Sequence, residues 1–140
     1  SATAWARSNR SLEIFSLCGN EQLGDSEGTA LAEALQANAE SRLRELTLFA
    51  TGLGPAAGIS FAALLRSNRS LVDLDLRFCK IGDLAGVAVA EALQENAQTA
   101  LRSLQLMYTG MGATAREAFE ALRRSNPGIE VILDDAEEEE

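Results

Sequence analysis

Residues 71–81, LVDLDLRFCKI, contain the pattern that decides the fold. Leucines occupy the first, fourth and sixth positions, at Leu71, Leu74 and Leu76, and Cys79 occupies the ninth. Successive side chains of a strand point to opposite faces, so Leu74 and Leu76 would share one face, with Asp73, Asp75 and Arg77 on the other. The stretch therefore predicts a short strand that buries its leucine face and exposes its charged face.

The same spacing recurs along the whole chain. Units with this pattern open at Leu12, Leu43, Leu71 and Leu101, and a fifth opens at Ile129. The intervals are 31, 28, 30 and 28 residues, so long and short units alternate. A fixed period of this size is the signature of a repeat architecture, in which one structural unit is stacked on the next.

Each strand pattern is followed by a helical one. Leu31, Ala34 and Leu35 have the three- and four-residue spacing of one helix face. Pro55 suits a first helical position, Asp83 and Thr114 are expected to be N-caps, and Glu117 completes a capping-box spacing with Thr114. One strand–turn–helix unit cannot bury its apolar side alone, whereas a stack of such units can.

The ninth position holds Asn20, Thr51, Cys79 and Thr109 in the four full units. The resulting pattern, LxxLxLxxN/C/T followed by an apolar-Gly turn and a helix, resembles the leucine-rich repeat of the ribonuclease-inhibitor-like subclass. The resemblance implies an α/β solenoid shaped as a partial horseshoe, with parallel strands on the concave face and helices on the convex face. Members of that family include ribonuclease inhibitor, NOD-like receptors, tropomodulin and the Ran GTPase-activating proteins, and almost all of them bind other proteins.

The repeats divide the chain into two parts. Residues 1–133 are expected to form the repeat domain, with a partial repeat at 1–11 and a closing strand at 129–133, and residues 134–140 a solvated acidic tail. In the fourth helix Arg116, Glu120 and Arg123 replace small or apolar residues, as a terminal cap requires. Trp5 precedes the first unit without a covering repeat, which suggests a fragment of a longer protein that can self-associate through this end.

Composition excludes several classes of function. The 140 residues suit one domain and include no histidine, which removes the Ser-His-Asp triad and histidine metal sites. The net charge is −9, but six of the 21 acids lie in residues 134–140, so the remainder carries only −3. We expect no cofactor, no metal, no nucleic acid and no membrane as partners.

The two cysteines indicate the compartment. Cys18 and Cys79 would lie two strands apart, about 10 Å at the spacing of strands in a sheet, too far for a disulfide. Free thiols and the lack of a signal-peptide pattern predict a cytoplasmic protein.

The concave face is the predicted site of binding to a protein partner. Its centre is expected at Phe49, Arg77 and Met107, all exposed, with Phe78 and Tyr108 at the rim. These residue types are enriched at the centres of protein interfaces. Glu45, Asp73 and Asp75 lie beside them and favour a partner with some positive charge. The alternative is that Phe78 and Tyr108 fold under the loop that follows the strand and belong to the core.

Two alternatives to a protein-binding scaffold are a hydrolase and a GTPase-activating module. Asp73 and Asp75 would stand about 7 Å apart, a separation that a hydrolase could use, but a water-exposed sheet face makes a recognition surface the better interpretation. An acidic tail after such repeats also resembles the Ran GTPase-activating proteins, which makes a GTPase-activating module the alternative function. The chain is predicted to be a binding protein and not an enzyme.

Overall fold

A computed structural model describes residues 3–20 and 22–134, which form one layer of strands and one layer of helices. Trp5–Arg7 form a short 3-10 helix. The five strands are β1 (Ile14–Ser16), β2 (Glu45–Thr47), β3 (Asp73–Asp75), β4 (Ser103–Gln105) and β5 (Glu130–Ile132). The four helices are α1 (Asp25–Ala37), α2 (Pro55–Leu65), α3 (Gly82–Glu95) and α4 (Ala113–Ser125). Residue 21 and residues 135–140 of the predicted tail lie outside the described residues.

The strands form a single parallel sheet in the order β1-β2-β3-β4-β5. Equivalent leucines of successive units are register partners, as Leu46 is with Leu74 and Leu74 with Leu104. Each helix connects two neighbouring strands, and α1, α2 and α3 each pack against the helix that follows. The predicted α/β leucine-rich repeat solenoid is confirmed.

The fifth unit differs from the other four by one residue. Val131 is the register partner of Leu104, so Ile129 stands two residues before its buried strand position, whereas Leu101 stands three residues before. The Ile129 N–H donates to the Asn126 carbonyl at 3.2 Å, in a turn like those after Asn38 and Asn96. The opening at Ile129 is therefore not equivalent to the opening at Leu101.

The core lies between the sheet and the helices. The first, fourth and sixth positions of the second, third and fourth units are fully buried, and so are Phe61 and Phe119 from the helices. In the first unit the same positions, Leu12, Phe15 and Leu17, are only partly buried, and the Trp5 ring packs on Phe15 with 4.4 Å between centroids. Burial of the leucine positions is thus complete only where a unit has neighbours on both sides.

Glycine at one helical position sets how closely the helices approach. A Cβ on Gly58 would lie 2.7 Å from the Ala85 Cβ and 2.9 Å from the Ile81 Cβ. A Cβ on Gly28 or Gly86 would meet side chains of the following unit at similarly short range. In α4, which has no following helix among the described residues, the same position is Arg116. The glycines are therefore required by the contact between units.

We expect Gly58→Ala to lower the free energy of unfolding by about 1–3 kcal/mol, because overpacking must push two units apart. The atoms that it meets are fixed to the backbone and cannot swing away. Gly24→Ala is the matched control, since a Cβ there meets only the Glu27 carboxylate at 3.5 Å. Urea unfolding of both variants is the measurement, and equal midpoints would contradict the packing role of Gly58.

Two aspartates join the helices at their amino-terminal ends. Asp25 at the start of α1 accepts hydrogen bonds from the Gly54, Ala56 and Ala57 N–H groups of α2. Asp83 in the first turn of α3 accepts from Gly112 and Ala115 at 2.8 and 2.9 Å. Each carboxylate thus satisfies free N–H groups of the next helix and lies near its positive dipole end.

These contacts correct the predicted caps. Asp83 does not cap its own helix, because α3 starts before it and its carboxylate is directed to α4. Thr114 lies inside α4, whose N-cap is Gly112, so the capping box with Glu117 does not form. The prediction for Pro55, at the first position of α2, is confirmed.

Asparagines at the opposite helix ends form the reciprocal contacts. The Asn38 amide donates to the carbonyls of Ala6 and Asn9 in the preceding unit, at 3.0 and 2.8 Å. Asn96 donates in the same way to the carbonyls of Leu65 and Asn68. Asn38 and Asn96 belong to the long units, whose helices also carry Asp25 and Asp83. The long units therefore hold the unit before and the unit after them by side-chain hydrogen bonds.

Asp83→Ala should destabilise the protein by about 1–2 kcal/mol, because two N–H groups of α4 lose an acceptor that also complements the helix dipole. Glu91→Ala, an exposed position in the middle of the same helix, is the control and should change stability by less than about 0.5 kcal/mol. Thermal or urea unfolding measures both. A loss no larger than that of the control would show that solvent caps α4 equally well.

The last strand is joined to α4 by two arginines. Arg116 donates to the Asp134 carbonyl and Arg123 to the Val131 carbonyl, each at 2.6 Å, and Arg123 also pairs with Glu120. These three are the polar residues that replace the small or apolar positions of the earlier helices. The two arginines satisfy carbonyl groups at the edge of the sheet, and Glu120 accepts a hydrogen bond from Arg123.

Candidate functional site

The carboxyl ends of the strands meet at one edge of the sheet, which we call the loop-side edge. Here the eighth residue of each full unit adopts a left-handed conformation, at Gly19, Ala50, Phe78 and Tyr108, with φ between 56° and 71°. In the first three of these units its N–H continues the sheet by donating to the next unit, as Phe78 does to the Met107 carbonyl at 3.0 Å. This backbone costs about 1–2 kcal/mol in an L-residue other than glycine.

Three aromatic rings stack along this edge. The Phe49 and Phe78 centroids are 5.2 Å apart with an edge-to-face geometry, and Phe78 and Tyr108 stack at 4.8 Å. We call Phe49, Phe78 and Tyr108 the aromatic ladder. Phe78 is 46% exposed and Tyr108 55% exposed. The alternative that these two rings belong to the core is wrong, because the left-handed backbone turns them outward.

Arg77 connects the aromatic ladder to the sheet. Its guanidinium carbon lies 4.8 Å from the Phe49 ring centroid, within the range of a cation–π contact. It also forms a bidentate pair with Asp75, with Nη2 to Oδ2 at 2.7 Å and Nε to Oδ1 at 3.0 Å. Hydrogen bonding to Asp75 raises the pKa of Arg77, so the guanidinium stays charged.

The pairing corrects what was expected of Asp75. Its carboxylate was predicted to face water beside Asp73, but it is buried beneath Arg77 and also accepts the Arg77 N–H at 3.0 Å. It is therefore neutralised and offers neither a free acid for hydrolysis nor an open negative charge to a partner. Arg77 is correspondingly half-buried and not fully exposed.

The remaining predicted residues lie around the aromatic ladder. Met107 is partly buried and precedes Tyr108, and its carbonyl holds the Phe78 N–H. Glu45 and Asp73 are register partners on adjacent strands at the other end of the sheet face. Both are partly exposed, and Glu130 continues the same register row beyond Ser103 as an exposed acid, so the acidic part of the sheet face lies at the amino ends of the strands.

One residue of the edge escaped prediction. The Asp134 carboxylate accepts the Tyr108 N–H at 2.6 Å, in the place where earlier units supply a backbone carbonyl. Asp134 was assigned to the solvated tail because it starts a run of acids. The repeat itself could have revealed this contact. The Tyr108 N–H needs an acceptor like the carbonyls used by Ala50 and Phe78, and Asp134 stands at that place in the fifth unit.

The ninth position behaves as a buried polar slot behind the aromatic ladder. Thr51 and Thr109 donate to the carbonyls of Leu48 and Leu106, and the Cys79 thiol donates to the Leu48 carbonyl at 2.9 Å. Burial raises the pKa of Cys79, which keeps it a thiol. Cys79 is thus structural, whereas Cys18 is exposed, and both are free.

Among residues 3–20 and 22–134 no cluster of three or more potential metal ligands occurs. In the same part of the chain no helix is long and apolar enough to cross a membrane.

Comparisons with known proteins agree with this architecture. The alternation of strands and helices, with all strands parallel in one sheet, defines a solenoid of strand–turn–helix repeats. A family model described as Leucine Rich repeat matches residues 67–90. The solved structure titled Leiomodin-1 Actin-Binding Site 2 (ABS2) is similar with a TM-score of 0.77 and 16% identity, over 90% of this chain and 72% of that chain. A search of curated proteins finds no match. The chain therefore has the fold of a leucine-rich repeat solenoid.

Arg77→Ala should destabilise the fold by about 1–3 kcal/mol, because it removes charged hydrogen bonds from the buried Asp75 carboxylate. Adding Asp75→Asn to that variant should restore part of the loss, since the unpaired group is then neutral. Lys80→Ala is the control, because it removes an exposed cation three residues beyond Arg77 that forms no ion pair with the described residues. If Arg77→Ala unfolds at the same urea concentration as the control, water must solvate Asp75.

Proposed function

We propose that this chain is a protein-binding module that docks its partner on the concave face at the aromatic ladder. The observation that carries the proposal is that Phe78 and Tyr108 are exposed in a backbone conformation that glycine tolerates far better. Gly19 and Ala50 adopt the same turn, so the fold does not need an aromatic ring there. Strain of this kind, held by the surrounding structure, is typical of functional positions.

Size and residue type support a protein as the partner. Rings from three successive units, with Arg77 over Phe49, present a continuous and largely apolar surface. Aromatic residues and arginine are the types that carry binding energy at protein interfaces. Glu45 and Asp73 support a partner that also carries positive charge, which would mainly increase its association rate.

Actin is the first partner to test. The solved structure with a similar fold is titled an actin-binding site, and this is the only support for actin here. We further propose the ribonuclease-inhibitor-like subclass, which the units of 28 to 31 residues with a full helix support. A cytoplasmic location is proposed from the two free thiols.

The decisive experiment removes the rings without removing the turn. Phe78→Gly with Tyr108→Gly deletes two rings of the aromatic ladder, and we expect affinity for a captured partner to fall at least about tenfold. Folding should change little, because relief of left-handed strain offsets the lost stacking of about 1 kcal/mol. Ala50→Gly is the control, with wild-type affinity and equal or slightly higher stability.

Partners are captured from cell extract, identified by mass spectrometry and then measured by calorimetry, with purified actin in parallel. Unchanged affinity of the double variant for every captured protein would contradict the proposed site. A GTPase-activating module is the alternative function, supported by the acidic composition of residues 134–140. Acceleration of GTP hydrolysis by a Ran-like GTPase would favour it, and in that case the chain would not be a simple scaffold.

A further inference from the structure

The amino ends of the strands carry a second charged surface, opposite the aromatic ladder. Four segments lead from a helix into the next strand here, and each contributes one exposed arginine that forms no ion pair, at Arg10, Arg42, Arg69 and Arg102. We call these four residues the arginine edge. They come from successive units and span about 15–30 Å. The lower value is three steps at the spacing of strands, and the upper value is three steps at the spacing of packed helices.

The arginine edge is unpaired within the described residues. None of its four side chains makes a hydrogen bond or an ion pair in residues 3–20 and 22–134, whereas Arg44 and Arg66 nearby pair with Glu13 and Glu95. In the same segments Glu40 is the remaining carboxylate without an ion pair. Within the connecting segments the unpaired groups are thus four arginines and Glu40, a local excess of positive charge. The strand-start acids Glu45, Asp73 and Glu130 lie beside these segments on the sheet face, and the net charge of the whole chain is negative.

Helix stabilisation does not account for these arginines. A cation favours the carboxyl end of a helix only within its last turn. Arg66 and Arg124 stand at or inside helix ends, but the four residues of the arginine edge lie beyond the helices, in the connecting segments. Their charge is therefore available to an external group.

A depression in the middle of this strip supplies further donors. It lies between the segments of the first and second full units and is lined by Ser41, Ser67, Asn68, Arg69 and Ser70 among others. The Ser70 hydroxyl accepts from the Asn68 amide, which leaves its own O–H free to donate outward. Hydroxyl and guanidinium donors together suit a carboxylate group.

We propose that the arginine edge binds a segment of a protein partner rich in aspartate and glutamate. The spacing of single arginines, interrupted by Glu40 and by two internal ion pairs, fits separate carboxylates better than a continuous phosphate backbone. The acidic remainder of the protein repels long polyanions but affects a short segment less, because charges beyond about 10 Å are screened at physiological salt. This second surface is independent of the aromatic ladder.

The test measures binding of a fluorescently labelled polyglutamate peptide by anisotropy, at low and at high salt. We expect binding at low salt that weakens as salt rises, and a loss of about tenfold in Arg69→Glu and in Arg102→Glu. Lys80→Glu makes the same charge change at the opposite, loop-side edge and should stay within about twofold of wild type. Far-ultraviolet circular dichroism checks that all variants fold.

Three results would overturn the proposal. These are no peptide binding at low salt, an equal loss in Lys80→Glu, and tighter binding of a single-stranded DNA oligonucleotide than of the peptide. The last would identify the strip as a nucleic-acid surface. Because the variants that remove the aromatic rings leave the arginine edge intact, failure here leaves the proposed function untouched, and the reverse also holds.

Discussion

The whole structure depends on how closely one unit can approach the next. Strands in a sheet are about 4.8 Å apart, whereas helices pack at 8–10 Å, so the helix layer limits the stack. Gly28, Gly58 and Gly86 remove the side chain at the point of closest approach, where a Cβ would overlap the following unit. Register of the sheet, burial of the leucines and alignment of the rings on the loop-side edge all follow from that contact.

The alternation of long and short units has a physical basis in the hydrogen bonds. Helices α1 and α3 carry an aspartate that caps the following helix and are followed by an asparagine that holds the preceding unit. The short units lack these contacts: the second unit is held from both sides, by Asp25 and Asn96, and the fourth from one side, by Asp83. The two additional residues of a long unit lie between that asparagine and the next leucine, as between Asn38 and Leu43.

Periodicity predicted the fold because it is a property of many residues at once. The leucine spacing determined the strands, the buried face and the parallel order, and the ring residues followed from their places in the unit. Pairwise contacts were less accessible. The sequence pattern places Asp75 on the open face, but only the rotamer of Arg77 buries it. Asp83 has the composition of an ordinary cap, and its direction toward the next helix depends on tertiary packing.

The stacking of units in a linear array determines how the molecule unfolds. Since each unit contacts mainly its immediate neighbours, the stability of such an array is close to a sum of nearest-neighbour interfaces, and unfolding can proceed from an end. The partly buried unit around Phe15 is the weaker terminus. Its fraying would leave the rings at Phe78 and Tyr108 in place, because they rest on interfaces farther along the array. The proposed binding surface would thereby be unaffected by fraying of the first described unit.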